Sequence, residues 1–228
     1  MTGRTSSAAG TVDLGEVRRR YLEHLLAPDA RGAWDAIATA LDGGARAEQV
    51  YLDVLTPAMV EIGQLWETAR IGVAQEHLAT QITQTVLARL APSLEDAAAA
   101  FAGGRRRRAI VAGTPGELHG IGARMVADFL EASGWDVLLL GPDTPVGEIV
   151  ALAARREPDV VALSTSLSFN LLAAGHVFAR LRELDAPPLL IAGGRAYEGH
   201  GDRALLAGAD VFAADPEALL RELALRLH

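Results

Sequence analysis

The chain has 228 residues, half of them hydrophobic, which is enough for two cores of about 100 residues each. A formal net charge of -8 speaks against nucleic acid as the main partner, because gripping a phosphate backbone calls for a basic face. There is no cysteine and all 21 basic residues are Arg, which excludes disulfides, iron–sulfur clusters, thioether-linked pigments and the Lys-based chemistry of Schiff bases, pyridoxal phosphate and P-loops.

Residues 1–12 are small, polar and glycine-containing and read as a flexible N-terminus. They carry no charged-then-apolar signal, and no apolar run is long enough to cross a bilayer, so a cytoplasmic protein without membrane contact is expected. Residues 13–91 show helical periodicity. Leu14, Val17, Tyr21, Leu22 and Leu25 mark a first helix, and Asp29 caps a second that carries Trp34, Ile37 and Leu41 and ends at Gly43 and Gly44. A third stretch, Ala47 to Ala69, contains Pro57, which should kink or split it, and a fourth runs from Val73 to Leu90. Four or five such helices predict an antiparallel bundle. Residues 92–106 lose apolar periodicity and read as a linker, with the run Arg105 to Arg108 solvated in it or, alternatively, touching a phosphate or partner.

Within residues 107–228 the pattern changes to short apolar, β-branched runs at Ala109–Ala112, Val137–Leu140, Val160–Leu163, Leu189–Ala192 and Asp210–Ala213, each followed by a helical stretch. That alternation predicts a Rossmann-like (flavodoxin-like) five-stranded parallel sheet with helices on both faces, so the fold class is α/β behind an all-α domain. Such sheets bind ligands where their strands end, at the crevice where strand order reverses. The loops that reach it are Gly113 to Gly122 after the first strand, Ser164 to Ser168 after the third, and Gly193-Gly194-Arg195 after the fourth.

In these loops Glu117, His119 and Gly122 stand at the spacing Glu-x-His-x-x-Gly, Ser164 lies 42 positions beyond Gly122, and Gly193 lies 27 beyond Ser166. On its own, a His after a strand is more often a loop or capping residue. The three-loop pattern resembles the cobalamin-binding domain, whose signature is Asp-x-His-x-x-Gly, then Ser-x-Leu, then Gly-Gly. Here Glu117 replaces the Asp, as in the B12-dependent photoreceptors, and Ser166 replaces the Leu. The resemblance implies that His119 is the lower axial ligand to cobalt and Glu117 the group behind it. It also implies that Gly120, Ile121 and Gly122 belong to the cofactor loop, and that Ser164, Ser166, Gly193 and Gly194 line a slot for the displaced nucleotide tail.

Trp66 is followed ten positions later by Glu76 and His77. By composition alone Trp66 reads as a core aromatic and His77 as an ordinary helix residue. Together with the cobalamin pattern, Trp-x9-Glu-His resembles the helical cap of light-sensing B12 proteins related to the CarH repressor, where these residues cover the adenosyl side of the cofactor. The resemblance implies a sensor, not an enzyme, that holds adenosylcobalamin (methylcobalamin being possible) and acts through a protein partner or its own oligomerisation. Those repressors have a His directly after the Trp; here Glu67 occupies that position, which puts the bis-histidine photoproduct in doubt. Two alternatives stay open: a photocobilin-type sensor that also binds biliverdin without a covalent bond, and a corrinoid methyl carrier serving methyltransferases.

Overall fold

The computed structural model describes residues 12–98 and 106–227; the sequence expectations for residues 1–11 and 99–105 lie outside them. The chain divides into two compact units, Met1–Ser93 and Leu94–His228. Among the described residues no helix is long and apolar enough to cross a membrane.

The first unit is helical. Helix α1 (Leu14–Leu26) starts at Asp13, whose carboxylate accepts from the backbone of Gly15 and Glu16, and α2 (Ala30–Asp42) starts at Asp29, which accepts from Gly32. The third stretch is divided as Pro57 suggested, but the irregularity lies before the proline. A short α3 (Ala47–Gln49) runs into a π-helical segment, Val50–Leu55, and then α4 (Thr56–Glu67). Thr56 N–H donates to Tyr51 five residues back, so Pro57, which has no N–H to give, enters α4 in its first turn. Buried polar contacts tie these helices to α5 (Val73–Ala98). The Tyr21 and Thr83 hydroxyls meet at 2.9 Å, and the Tyr51 hydroxyl donates to the Leu87 carbonyl at 3.3 Å.

Helix α5 corrects the expected boundary. It passes through Pro92 and continues to Ala98, so residues 92–98 are helical and not part of a linker. Leu94 continues the buried stripe of Leu87 and Leu90, and Pro92, read as a helix stop, hid that continuation. The basic run is also more than a solvated linker. Arg107 stacks over Trp135 with its guanidinium 5.9 Å from the ring centroid, and Arg108 donates through Nε to Asp136 and through its backbone N–H to Asp159.

The second unit is a five-stranded parallel sheet. Its strands are β1 (Arg108–Gly113), β2 (Asp136–Gly141), β3 (Val160–Ser164), β4 (Leu189–Gly193) and β5 (Val211–Ala213), in spatial order β2-β1-β3-β4-β5. Helices α6 (Ile121–Ala132) and α10 (Pro216–Arg226) bury one face with Ala123, Ala127, Leu130, Leu219 and Leu223. Helices α7 (Val146–Arg156), α8 (Leu171–Arg182) and the short α9 (Asp202–Leu206) bury the other around Phe178 and Leu181. Strand order reverses between β1 and β3, so the crevice opens there, at their carboxyl ends.

One core group is unsatisfied. Tyr197 is fully buried against Phe212, and burial pushes its phenol above the usual pKa. Its hydroxyl lies near Thr165, whose Oγ1 pairs with Thr114 at 2.7 Å, and makes no well-aligned hydrogen bond among the described residues. Tyr197→Phe is therefore expected to leave thermal stability unchanged or raise it by up to about 1 kcal/mol. A lowered melting temperature would reveal a partner for the hydroxyl, such as a trapped water.

Candidate functional site

The site begins with the first loop. Thr114 N–H donates to the Ser164 carbonyl at 3.0 Å, carrying the β1–β3 ladder one residue past the strand, and a turn closed by Glu117 N–H to the Thr114 carbonyl (2.8 Å) swings the chain towards α6. Gly116 takes φ +83 in that turn, and a Cβ there would stand 3.0 Å from the Asn170 side-chain oxygen. Asp143, after β2, pins the turn from outside by accepting from Gly116 N–H at 2.8 Å and donating its own N–H to the Glu117 carbonyl at 2.9 Å.

Glu117 is fully buried, and its carboxylate accepts from five groups. One oxygen takes the backbone N–H of His119 (3.1 Å) and the His119 ring at Nδ1; the other takes the backbone N–H groups of Ser166 (2.7 Å) and Leu167 (3.0 Å) and the Asn170 amide (3.3 Å). Burial alone would push the Glu117 carboxyl up. The hydrogen bonds from His119, Ser166 and Leu167 outweigh it and hold the pKa at about 2.

An ionised carboxylate only accepts, so the contact at Nδ1 fixes the proton on that nitrogen and leaves the lone pair on Nε2. The His119 side chain is 42% exposed. The result is an imidazole whose orientation is set by Glu117 and whose Nε2 carries the lone pair. Among the described residues no cluster of three or more His, Cys, Asp or Glu could hold a metal ion by itself.

Beside the imidazole the sheet carries a row of minimal side chains. Gly113, Ser164, Gly193 and Ala213 are register partners across β1, β3, β4 and β5, one on the last residue of each strand. They continue the alternation that directs Val111, Ala162, Ile191 and Val211 to the α6 and α10 face. A Cβ on Gly122, in the first turn of α6, would come within 2.8 Å of Ser164 Oγ. At Gly194, φ is +104 and a Cβ would lie 2.4 Å from the Thr165 carbonyl oxygen, so only glycine fits.

The predicted residues of the second unit thus converge: Glu117, His119, Gly120 as N-cap of α6, Ile121, Gly122, Ser164, Gly193 and Gly194. Ser166 meets the site through its backbone N–H to Glu117. Asn170 and Asp143 went unnoticed in the sequence because they lie outside the motif; an amide in the loop that follows Ser164 was the available signal. Trp66, Glu76 and His77 belong to the helical unit. Trp66 is 40% exposed in the last turn of α4, and Glu76 and His77 open α5 after a short connection. Glu76 accepts from Thr80 at 2.9 Å and lies 3.5 Å from His77 Nε2.

Two family profiles, both described as B12 binding domain, match residues 17–91 and 107–224. The chain belongs to the B12-binding family. It binds cobalamin, and the site fits that group, with an imidazole oriented through Nδ1 and a row of strand-end residues kept small. Among curated relatives, the chain is 34% identical over 149 residues to the HTH-type transcriptional repressor CarH of Myxococcus xanthus, covering 65% of this chain but only 48% of the repressor. It is 28% identical over 170 residues to monomethylamine corrinoid protein 2 of Methanosarcina mazei, covering 74% of this chain and 78% of that protein. The fold matches the monomethylamine corrinoid protein of Methanosarcina barkeri with a TM-score of 0.80 at 22% identity, over 93% of this chain and all of the other.

Proposed function

We propose that this B12-binding protein is a light sensor that holds adenosylcobalamin, with His119 Nε2 as the lower axial ligand to cobalt. When bound, the cofactor supplies a cobalt–carbon bond that light or a nucleophile can break. Glu117 holds the imidazole proton on Nδ1 and so keeps Nε2 basic and aimed. Gly113, Ser164, Gly193 and Gly194 leave room for the nucleotide tail, and Trp66, Glu76 and His77 serve the adenosyl side. The observation that carries the sensing role is Trp66, a large aromatic left 40% exposed, with the Glu76–His77 pair opening the next helix. Glu67 stands directly after Trp66, so no imidazole is offered at that position, and His77 is the histidine nearest to it in the cap pattern. The output is a change of assembly or of partner binding.

A second reading, a corrinoid methyl carrier, is favoured by one observation. Monomethylamine corrinoid protein 2 of Methanosarcina mazei is 28% identical over 170 residues, a longer match than the 149 residues shared with the repressor.

Absorption spectra and size-exclusion profiles of protein reconstituted in the dark with adenosylcobalamin or methylcobalamin, before and after illumination, separate the two. A lasting spectral change with a shift in assembly, specific to adenosylcobalamin, supports the sensor. Tight binding with no photochange beyond that of free cofactor supports the carrier. A stoichiometric red band on adding biliverdin identifies a bilin-binding version of the sensor.

A further inference from the structure

The loops that hold the imidazole also leave two large apolar side chains uncovered. Leu118, between Glu117 and His119, is 76% exposed, and Phe169, directly before Asn170, is 72% exposed. Their neighbours Glu117 and Asn170 are buried, at 0% and 6%, and are joined to each other through the Glu117 carboxylate. Both loops are further fixed by backbone hydrogen bonds, Glu117 to Thr114, Asp143 to Glu117 and Asn170 to Leu167. The exposure of Leu118 and Phe169 is therefore imposed by a rigid hydrogen-bonded knot. A single exposed apolar residue is ordinary on a surface; two on the loops that orient a metal-binding nitrogen form part of a binding face.

We propose that Leu118 and Phe169 form an apolar floor for the underside of the corrin ring. This rests on the reading that cobalamin is held on His119. The ring's edge is rich in methyl and methylene groups, so a Leu and a Phe on the loops that carry the ligand bury apolar surface on both partners. Cover of that kind also keeps water from competing with Nε2 for cobalt. Because one carboxylate ties the Leu118 loop to the Phe169 loop and to the imidazole ring, floor and ligand are positioned together before the cofactor arrives.

The test uses the full chain and two ligands, hydroxocobalamin and cobinamide, the latter having the same ring without the nucleotide tail. Leu118→Ala combined with Phe169→Ala is expected to weaken both ligands by the same factor, roughly tenfold to a hundredfold, since the floor touches only the ring. The melting temperature of the cofactor-free protein should stay within a degree or two, and Leu118→Met combined with Phe169→Leu should recover most of the affinity. Affinities within twofold of wild type for both ligands would overturn the floor and leave the exposed pair to a protein partner. A loss confined to cobalamin would overturn it as well. Failure of the parent reading looks different: the wild type would show no histidine-coordinated spectrum with hydroxocobalamin.

Discussion

The His119→Ala protein is expected to fold as well as wild type and to lose at least about a hundredfold in cobalamin affinity, together with the spectrum of histidine-coordinated cobalt. The magnitude follows from the ligand's position. Removing a group that merely orients a metal ligand costs about 10–100-fold, and on the proposed reading His119 supplies the coordinating atom itself. Folding is spared because the side chain is 42% exposed and Glu117 keeps its bonds from Ser166, Leu167 and Asn170. Titration followed by absorbance, with a thermal melt of the cofactor-free protein, checks both halves. Unchanged affinity and spectrum would remove His119 from the metal.

Glu117→Gln should be the more damaging change to the protein itself. All five contacts to this carboxylate are donors, so an amide must turn its own NH2 either towards His119 or towards the groups from Ser166, Leu167 and Asn170. A loss of about 3 kcal/mol at neutral pH is expected, with cofactor affinity falling about 10–100-fold as the imidazole loses its acceptor. The pH dependence has a definite sign. Glu117 titrates at about 2 in the folded chain, against an ordinary 4.5, so its stabilisation is complete above about 4.5 and fades as pH falls towards 2. Wild type and variant should therefore converge as pH falls below about 4.5 towards 2. A difference that persisted undiminished at about pH 2 would refute the assignment of an ionised, donor-saturated Glu117.

The sheet was legible because its central strands are short apolar runs buried on both faces, and such runs stand out between Ala- and Arg-rich helices. Even β5, three residues long, was found through Val211, Phe212 and Ala213. The Glu117–His119 pair and the glycines were legible from spacing, since each answers a geometric demand: an acceptor behind the imidazole, and room for close approach. What escaped was set by tertiary neighbours. The continuation of α5 to Ala98 depends on Leu94 staying buried beyond a proline, and the π turn before Pro57 on which carbonyl Thr56 chooses. Asn170 matters because it folds back on a carboxylate far behind it in the chain, a relation no local pattern encodes. Leu118 and Phe169 were passed over because a sequence offers no sign of which apolar residues stay outside.

The donors that saturate Glu117 come from residues 49 to 53 positions further along the chain. A ribosome-bound or proteolysed fragment that stops short of β3 would carry His119 beside an acid free to move, with its ring proton on either nitrogen. Such a fragment should grip cobalt no better than a histidine in a short peptide. On the proposed reading, capture of the cofactor by His119 therefore waits until β3 has joined the sheet.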